Sequence, residues 1–151
     1  MKIFTGQHVN KIDSKGRISV PAPFRALVQS RGQSGVALYP SLDFPCIEGC
    51  GMDRIEKVAE SLPDDPLPGQ REEAIAHLLI GNVREALFDA GGRIVLPDDF
   101  LAIANLSDQA TFVGLNHIFQ IWEPAAYEKL AAEIKQRNAE LRRARLQGSA
   151  P

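Results

Sequence analysis

Little in this sequence points to a membrane span, a disulfide framework or a metal cluster. Its 151 residues contain two cysteines, Cys46 and Cys50, in one CIEGC segment. A four-ligand zinc site needs more donors than this pair supplies unless distant histidines contribute, so we expect two reduced, partly buried thiols. No run approaches the roughly 18 apolar residues of a membrane span, and the first residues lack a signal-peptide pattern. A cytoplasmic location is the default expectation.

Groups that could carry catalysis are also scarce. The three histidines, His8, His77 and His117, lie in unrelated contexts, and no serine or cysteine has a nearby base in the sequence. The phosphate-cradling motifs GxxxxGK[ST] and GxGxxG are absent. The sequence therefore predicts neither an enzyme nor a bound cofactor, and it indicates no small-molecule substrate.

The net charge of −2 conceals an uneven distribution. Residues 1–38 have six basic residues and one acidic residue, whereas residues 39–82 have three basic and nine acidic. Residues 83–125 have two basic and six acidic, and residues 126–151 have six basic and three acidic. Salt screens charges separated by more than about 10 Å, so a basic patch can bind phosphate even on an acidic protein.

One segment occurs twice. DSKGRISVPAPF at 13–24 returns 76 positions later as DAGGRIVLPDDF at 89–100. The shared positions are Asp, Gly, Arg, Ile, a branched aliphatic, Pro and Phe, an order that is unlikely by chance. The similarity continues more loosely, matching Val36 with Thr111 and Ile47 with Ile121. We expect the first copy at 1–60, a linker with a helix at 61–82, the second copy at 83–136, and a helix end with a basic tail at 137–151.

Each copy should begin with a β-hairpin followed by a short helix. The expected strands are 7–12, 17–20, 84–88 and 93–96, with glycine supplying the positive φ of the two turns. Helices should then bury apolar stripes, namely Phe24, Leu27 and Val28; Phe100, Ile103 and Ala104; Ala74, Ile75, Leu78 and Leu79; and Tyr127, Leu130, Ile134 and Leu141. A single short module leaves a thin core, so the two copies should close one barrel-like core as a pseudo-dimer.

The paired hairpins DSKGRISVP and DAGGRIVLP, with LYP at 38–40 and VGLNHIFQIWEP at 113–124, resemble the MraZ family over nearly the whole chain. The resemblance implies an α+β fold in which two tandem swapped-hairpin modules of the AbrB-like superfamily form a pseudo-twofold β-barrel core with flanking helices. It also implies a nucleoid-associated transcriptional regulator that binds direct-repeat DNA boxes upstream of the division and cell-wall gene cluster. A ring of subunits, an octamer or a dodecamer, is the implied assembly.

The first hairpin loop carries the clearest candidate for binding double-stranded DNA. Its aspartate can accept backbone N–H bonds, its glycine reverses the chain, and its lysine and arginine then project outward. Arginine's planar fork suits phosphate oxygens and the O6 and N7 edge of guanine, and a two-stranded ribbon fits the major groove. The predicted DNA-binding residues are Lys11, Asp13, Lys15, Gly16, Arg17, Arg25 and Arg93.

A structural role for the same residues stays open. Asp13 and Arg17 could pair as a staple, and Asp89 and Arg93 likewise. This reading is stronger for the second loop, in which Ala90 and Gly91 replace a serine and a lysine.

The functional alternative is an oligomeric protein-binding adaptor of antitoxin type, in which the acidic second copy and basic tail hold a partner. Head-to-tail assembly needs two complementary surfaces, for which Phe4, Phe44, Ile47 and the last helix are candidates. Core positions for these apolar residues are the simpler alternative.

Overall fold

The computed structural model describes residues 2–65 and 67–148, and these form a mixed α+β fold. The strands are β1 Gln7–Lys11, β2 Arg17–Ser19, β3 Gly35–Pro40, β4 Ile47–Cys50, β5 Arg84–Leu87, β6 Arg93–Val95, β7 Gln109–Leu115 and β8 Ile118–Trp122. The α-helices are α1 Ala22–Ser30, α2 Met52–Glu60, α3 Arg71–Ala74, α4 Asp98–Ile103 and α5 Pro124–Leu146. Each copy thus runs strand, strand, helix, strand, strand, helix, as its pattern predicted.

The sheets join the two copies by exchanging strands. Six strands form one antiparallel sheet in the order β1-β7-β8-β4-β3-β5, and β2 pairs with β6 in a separate ribbon. The first strand of each copy therefore pairs with the third strand of the other copy. The predicted pairing of the two strands on either side of each turn was wrong, because the second strands pair with each other across the copies. In the first copy the expected ladder is reduced to one isolated bridge between Ile12 and Ile18. When each strand is replaced by its equivalent in the other copy, the same order results, read from the opposite edge of the sheet. This is the strand pattern of a pseudo-dimer. The described strands do not close into a barrel, so the predicted barrel is not found.

Two isoleucine pairs mark the symmetry axis of the chain. Ile18 pairs with Ile94 in the ribbon, and Ile47 pairs with Ile121 in the large sheet. In both cases a residue faces its own equivalent in the other copy, which happens only where an antiparallel pair crosses a twofold axis. The strand registers also make Val36 equivalent to Ala110. Val36 faces Ala86 and Ala110 faces Asn10, and Asn10 and Ala86 are themselves equivalent positions 76 residues apart. The sequence match of Val36 with Thr111 was wrong by one residue.

Aromatic rings fill the space between the large sheet and α1. Phe4, Phe24 and Phe119 meet with ring centroids 5.2–5.4 Å apart. All three are buried, and so is Ile47. Phe4 and Ile47 are therefore core residues and not surfaces for head-to-tail assembly, whereas Phe44 is exposed.

The predicted helical stripes hold in α1 and fail partly in α4. Phe24, Leu27 and Val28 are buried, and Phe100 and Ala104 repeat this in the second copy. Ile103, however, is 46% exposed. Because α4 ends at Ile103, it lacks the further turn with which α1 continues after its buried phenylalanine.

The segment after the linker changes its helical geometry twice. α3 spans Arg71–Ala74 and passes into a π-helical turn at Ile75–Leu79 and a 3₁₀ turn at Ile80–Asn82. A π-turn, with i→i+5 hydrogen bonds, has more residues per turn than an α-helix and so narrows the angle between successive side chains. Leu79 is consequently buried while Leu78 is 51% exposed, so Leu78 was wrongly placed in the apolar stripe.

The last helix is longer and less covered than the sequence suggested. The side chain of Glu123 caps α5 by accepting the N–H groups of Ala125 and Ala126. Tyr127 and Leu130 pack against the cluster around Trp122, but the remaining two residues of the predicted stripe, Ile134 and Leu141, are exposed. Residues 142–146, expected in the tail, continue the helix.

Candidate nucleic-acid interface

The first hairpin loop is organised around one carboxylate. Oδ1 of Asp13 accepts the backbone N–H groups of Lys15 and Arg17, each at 2.9 Å. Oδ2 accepts Nε–H of Arg17 at 2.6 Å. Gly16 has a φ of +77° and donates its N–H to the Asp13 carbonyl at 3.0 Å. The aspartate thus fixes both the turn and the direction in which Arg17 leaves it.

The second hairpin loop repeats this geometry. Oδ1 of Asp89 accepts the N–H groups of Gly91 and Arg93 at 2.9 Å, and Oδ2 accepts Nε–H of Arg93 at 3.0 Å. Gly92 has a φ of +78°. The aspartate–arginine staple that the sequence left open is therefore present in both copies.

Both loops belong to one surface because their strands form the β2–β6 ribbon. The carbonyl of Gly16 accepts the N–H of Leu96 at 2.8 Å, and that of Gly92 accepts the N–H of Val20 at 3.2 Å. Each loop is therefore tied to the far end of the other copy's strand.

The ribbon has a buried face and an exposed face, as successive side chains of a strand alternate. Ile18 and Ile94 point into the core. Their neighbours point outward, and Nη1 of Arg93 lies 4.0 Å from Oδ2 of Asp13, which links the two loops across the axis. The outward residues are Arg17, Ser19, Arg93 and Val95.

The staple leaves the recognition end of each arginine accessible. The side chains of Arg17 and Arg93 are 35% and 39% exposed. Arg17 is held through Nε, and within the described chain its two terminal nitrogens donate no hydrogen bond. Lys15 is exposed and forms no salt bridge there. The bonds to Asp13 therefore orient Arg17 while keeping its fork available.

Both aspartates are held in the charged form. The backbone N–H of Arg17, together with its side chain, lowers the pKa of Asp13. The backbone N–H of Arg93 is the main cause of the lowered pKa of Asp89. Hydrogen bonds to a carboxylate favour its ionised state, so the two loops keep their shape at neutral pH.

Arg25 lies at the second loop and not at the first. Its Nη1 donates to the Val20 carbonyl at 2.5 Å, and a Cβ added to Gly92 would come within 2.6–2.9 Å of its side-chain atoms. The second copy has Leu101 at the equivalent position, near Gly16. Arg25 thus gives the second loop a cation in place of the lysine that this loop lacks.

The surface differs from the sequence prediction in composition as well. Lys11 is exposed at the end of β1, opposite Gln109 of β7. Ser19 and Val95 share the outward face of the ribbon with the arginines but were not predicted. The alternation of buried and exposed residues along each strand could have identified them.

The cysteines and the acidic groups give no sign of metal chemistry. Cys46 and Cys50 are free thiols and are fully buried, more completely than expected. Within residues 2–65 and 67–148, no three His, Cys, Asp or Glu side chains are grouped to hold a metal ion. No helix in those ranges has both the length and the apolar character needed to cross a membrane.

Known proteins similar to this chain decide its family. A family model described as "MraZ protein, putative antitoxin-like" matches residues 79–149. The transcriptional regulator MraZ of Parvibaculum lavamentivorans is 43% identical over 141 residues, covering 91% of this chain and 86% of the relative. The protein of the same name from Rhodospirillum rubrum is 42% identical over 130 residues, covering 85% and 84%. This chain belongs to the MraZ family.

The MraZ relatives confirm the resemblance carried by the repeated hairpins. The MraZ family model begins at residue 79 and so contains the Asp89 loop but not the Asp13 loop. The Rickettsia canadensis MraZ, 38% identical over 85% of this chain, and the Parvibaculum protein both extend into the first copy. Likeness to the MraZ family thus extends into both copies of the repeat.

Proposed function

We propose that this chain is a sequence-specific DNA-binding transcriptional regulator that contacts DNA through the exposed face of the β2–β6 ribbon and its two loops. The observation that carries the proposal is the joint surface on which Arg17, Arg93, Lys15 and Arg25 meet. Relatives of similar length are named transcriptional regulators, which supports the same role.

The chemistry of the surface suits a DNA groove. Each aspartate takes Nε of its arginine, so the terminal nitrogens can bind a phosphate or the O6 and N7 edge of guanine. The side chain of Lys15 forms no salt bridge within residues 2–65 and 67–148 and adds attraction to the phosphate backbone. Contacts to phosphate supply affinity and register, whereas contacts to base edges supply specificity. We propose Arg17 for base reading, with Lys11 and Lys15 for phosphate binding.

The two loops share their backbone geometry but differ in their basic side chains, and this difference adds a second part to the proposal. Each loop presents one stapled arginine, and the loops differ by Lys15 in the first and Arg25 beside the second. We propose that one chain reads one DNA box through both loops, with Asp13 and Gly16 shaping the first. Arg93 then contacts the same box.

Family membership supports the wider setting of the proposal. We propose that several copies form a ring in the cytoplasm, associated with the nucleoid, and bind direct-repeat boxes upstream of the division and cell-wall gene cluster. Joining several weak sites raises avidity by orders of magnitude without any new type of contact. A ring would therefore compensate for the few contacts that one ribbon can make.

A gel-shift assay with matched arginine variants tests the proposal. The Arg17→Ala chain should lose retention of DNA from upstream of its own gene, at least tenfold in affinity. The control is Arg71→Ala, because Arg71 is also exposed and paired with an aspartate, Asp43, but lies on α3. This control should bind like the unmodified chain. Unchanged binding by Arg17→Ala would refute the role of the loop.

The same assay separates the proposal from a protein-binding adaptor of antitoxin type, which the description of the family model keeps open. An adaptor would show no preference for the upstream DNA over random DNA of equal length. A DNA-binding regulator should retain the upstream fragment in the presence of excess random DNA.

A further inference from the structure

A recess outside the hairpin surface gathers basic side chains from three parts of the chain. It has a volume of about 250 Å³ and is lined by Arg31, Asp53, Arg54, Lys57 and His117. Arg31 follows the last residue of α1, whereas the hairpins meet the first residue of that helix. Arg25, the residue of α1 that belongs to the hairpin surface, precedes Arg31 by six residues, which is a rise of about 9 Å at 1.5 Å per residue.

Two positive-φ residues build the recess. Gly32, with a φ of +78°, ends α1 and turns the chain so that Gln33 accepts the N–H of Met52 through its side chain at 2.8 Å. This bond sets the start of α2 beside Arg31. On the other side, Asn116 has a φ of +78° in the short turn between β7 and β8, and His117 follows it. Helix α2 and the turn thus face each other across the cavity.

The positive charge in the recess is only partly neutralised. Nη2 of Arg31 donates to the Lys2 carbonyl at 3.0 Å, and Nη1 lies 3.6 Å from Oδ2 of Asp53. Oδ2 of Asp53 is therefore engaged by Arg31, whereas Oδ1 of Asp53 is buried and has no hydrogen-bond partner among the described residues. Within the described residues, neither Arg54 nor Lys57 forms a salt bridge. Like charges brought together without a counterion repel each other, and these cations stand within the most acidic part of the sequence.

Cations gathered around a recess without salt bridges are suited to holding an anion. The arginine fork and the lysine ammonium bind phosphate oxygens strongly, by charge-assisted hydrogen bonds. A volume of about 250 Å³ lies just below the roughly 300–1,000 Å³ of pockets for drug-sized ligands. The recess therefore fits a compact anion better than a nucleotide.

We propose that this recess binds the phosphate group of a small phosphomonoester, through Arg54 and Lys57 with Arg31 and His117 at its edges. The phosphate would replace the missing counterion. This site is separate from the ribbon surface and does not depend on the proposed role in DNA binding.

Equilibrium dialysis of the full chain against radiolabelled inorganic phosphate tests the proposal. The unmodified chain should bind close to one phosphate per subunit, saturably, at an ionic strength held constant with chloride. Glycerol 3-phosphate should displace the label. The double variant Arg54→Gln/Lys57→Gln should bind at least tenfold more weakly, and Lys57→Gln alone should show an intermediate loss. Circular dichroism would verify that both variants are folded.

The matched control is Lys129→Gln/Lys135→Gln, which removes two cations from the exposed face of α5. It should bind phosphate within twofold of the unmodified chain. Absence of saturable binding, an equal loss in the control, or failure of glycerol 3-phosphate to compete would overturn the proposal. Displacement of the label by upstream DNA would also overturn it, because the recess would then be part of the DNA interface.

Discussion

Three glycines with nearly the same backbone angle allow the hairpin geometry to be tested by stability. Gly16, Gly32 and Gly92 have φ values of +77°, +78° and +78°. Alanine in the left-handed region costs about 1–2 kcal/mol, and it recovers part of this, about 0.4–1 kcal/mol, by restricting the unfolded chain. Each Gly→Ala variant therefore starts from a loss near 1 kcal/mol that comes from the backbone alone.

The surroundings of the three glycines then separate the variants. A Cβ at Gly32 would meet no atom within 4 Å, so the loss should remain near 1 kcal/mol. At Gly16 the Cβ would lie 3.0 Å from the carbonyl oxygen of Leu96, whose N–H bonds to Gly16. Moving a backbone group in a packed site costs about 1–3 kcal/mol more. At Gly92 the Cβ would instead push aside the flexible side chain of Arg25.

Urea unfolding at a fixed chain concentration measures these differences. Gly16→Ala should lose the most stability, Gly32→Ala the least, and the gap should reach about 1 kcal/mol or more, which is about 2–4 °C in Tm for a chain of this size. Gly92→Ala should fall between them, because it can relax by losing the bond from Arg25 to Val20. Equal losses for Gly16→Ala and Gly32→Ala would refute the contact between the two copies at the loop.

Three further predictions concern the fold and its charges. Because the pKa of Asp13 is lowered, its contribution to stability is present above the unfolded pKa near 4 and is lost as the pH falls through the lower folded pKa. In acid titrations monitored by circular dichroism, Asp13→Asn should therefore lose less stability than the unmodified chain as the pH falls below about 4. Burial raises the pKa of the Cys50 thiol to about 12 and raises the pKa of Cys46 further. A thiol reagent at pH 8 should therefore label neither cysteine until denaturant is added. Rapid labelling of the folded chain would contradict the burial of the two thiols. Ile18→Ala should destabilise the chain by about 2–5 kcal/mol in urea unfolding. Val95 is exposed on the same ribbon, so Val95→Ala should change stability by about 0.5 kcal/mol or less. Similar losses for the two variants would contradict the assignment of a buried and an exposed face to the ribbon.

The local structure of the two turns could be predicted because it depends on residues close together in the sequence, whereas the predicted pairing of the strands beside each turn was wrong. The Asp-x-x-Gly-Arg pattern contains the acceptor, the positive-φ residue and the projecting arginine, and both copies fold as that pattern indicates. The apolar stripe of α1 was visible for the same reason. Such signals act within a few residues of each other.

The assembly of the two copies was only partly visible. The repeat indicated a pseudo-dimer, but which strands pair between the copies is decided by contacts far apart in sequence, from 46 residues for Leu38 with Arg84 to 76 for Ile18 with Ile94 and more for β1 with β7. Arg25 illustrates the consequence. It follows the first hairpin in sequence and was assigned to that surface, yet the crossed strands place it at the second loop. The π-turn likewise depends on packing, and Leu78 was misplaced for that reason.

The dependence of DNA affinity on salt tests the central claim most directly, because each phosphate contact contributes about −0.9 to the slope of log K against log salt concentration. Lys15 is exposed at the loop tip and forms no salt bridge with any described residue. Lys15→Gln should therefore make the slope shallower by close to 0.9 for every bound subunit while the fold stays intact. An unchanged slope and unchanged affinity would show that the hairpin loop does not touch DNA.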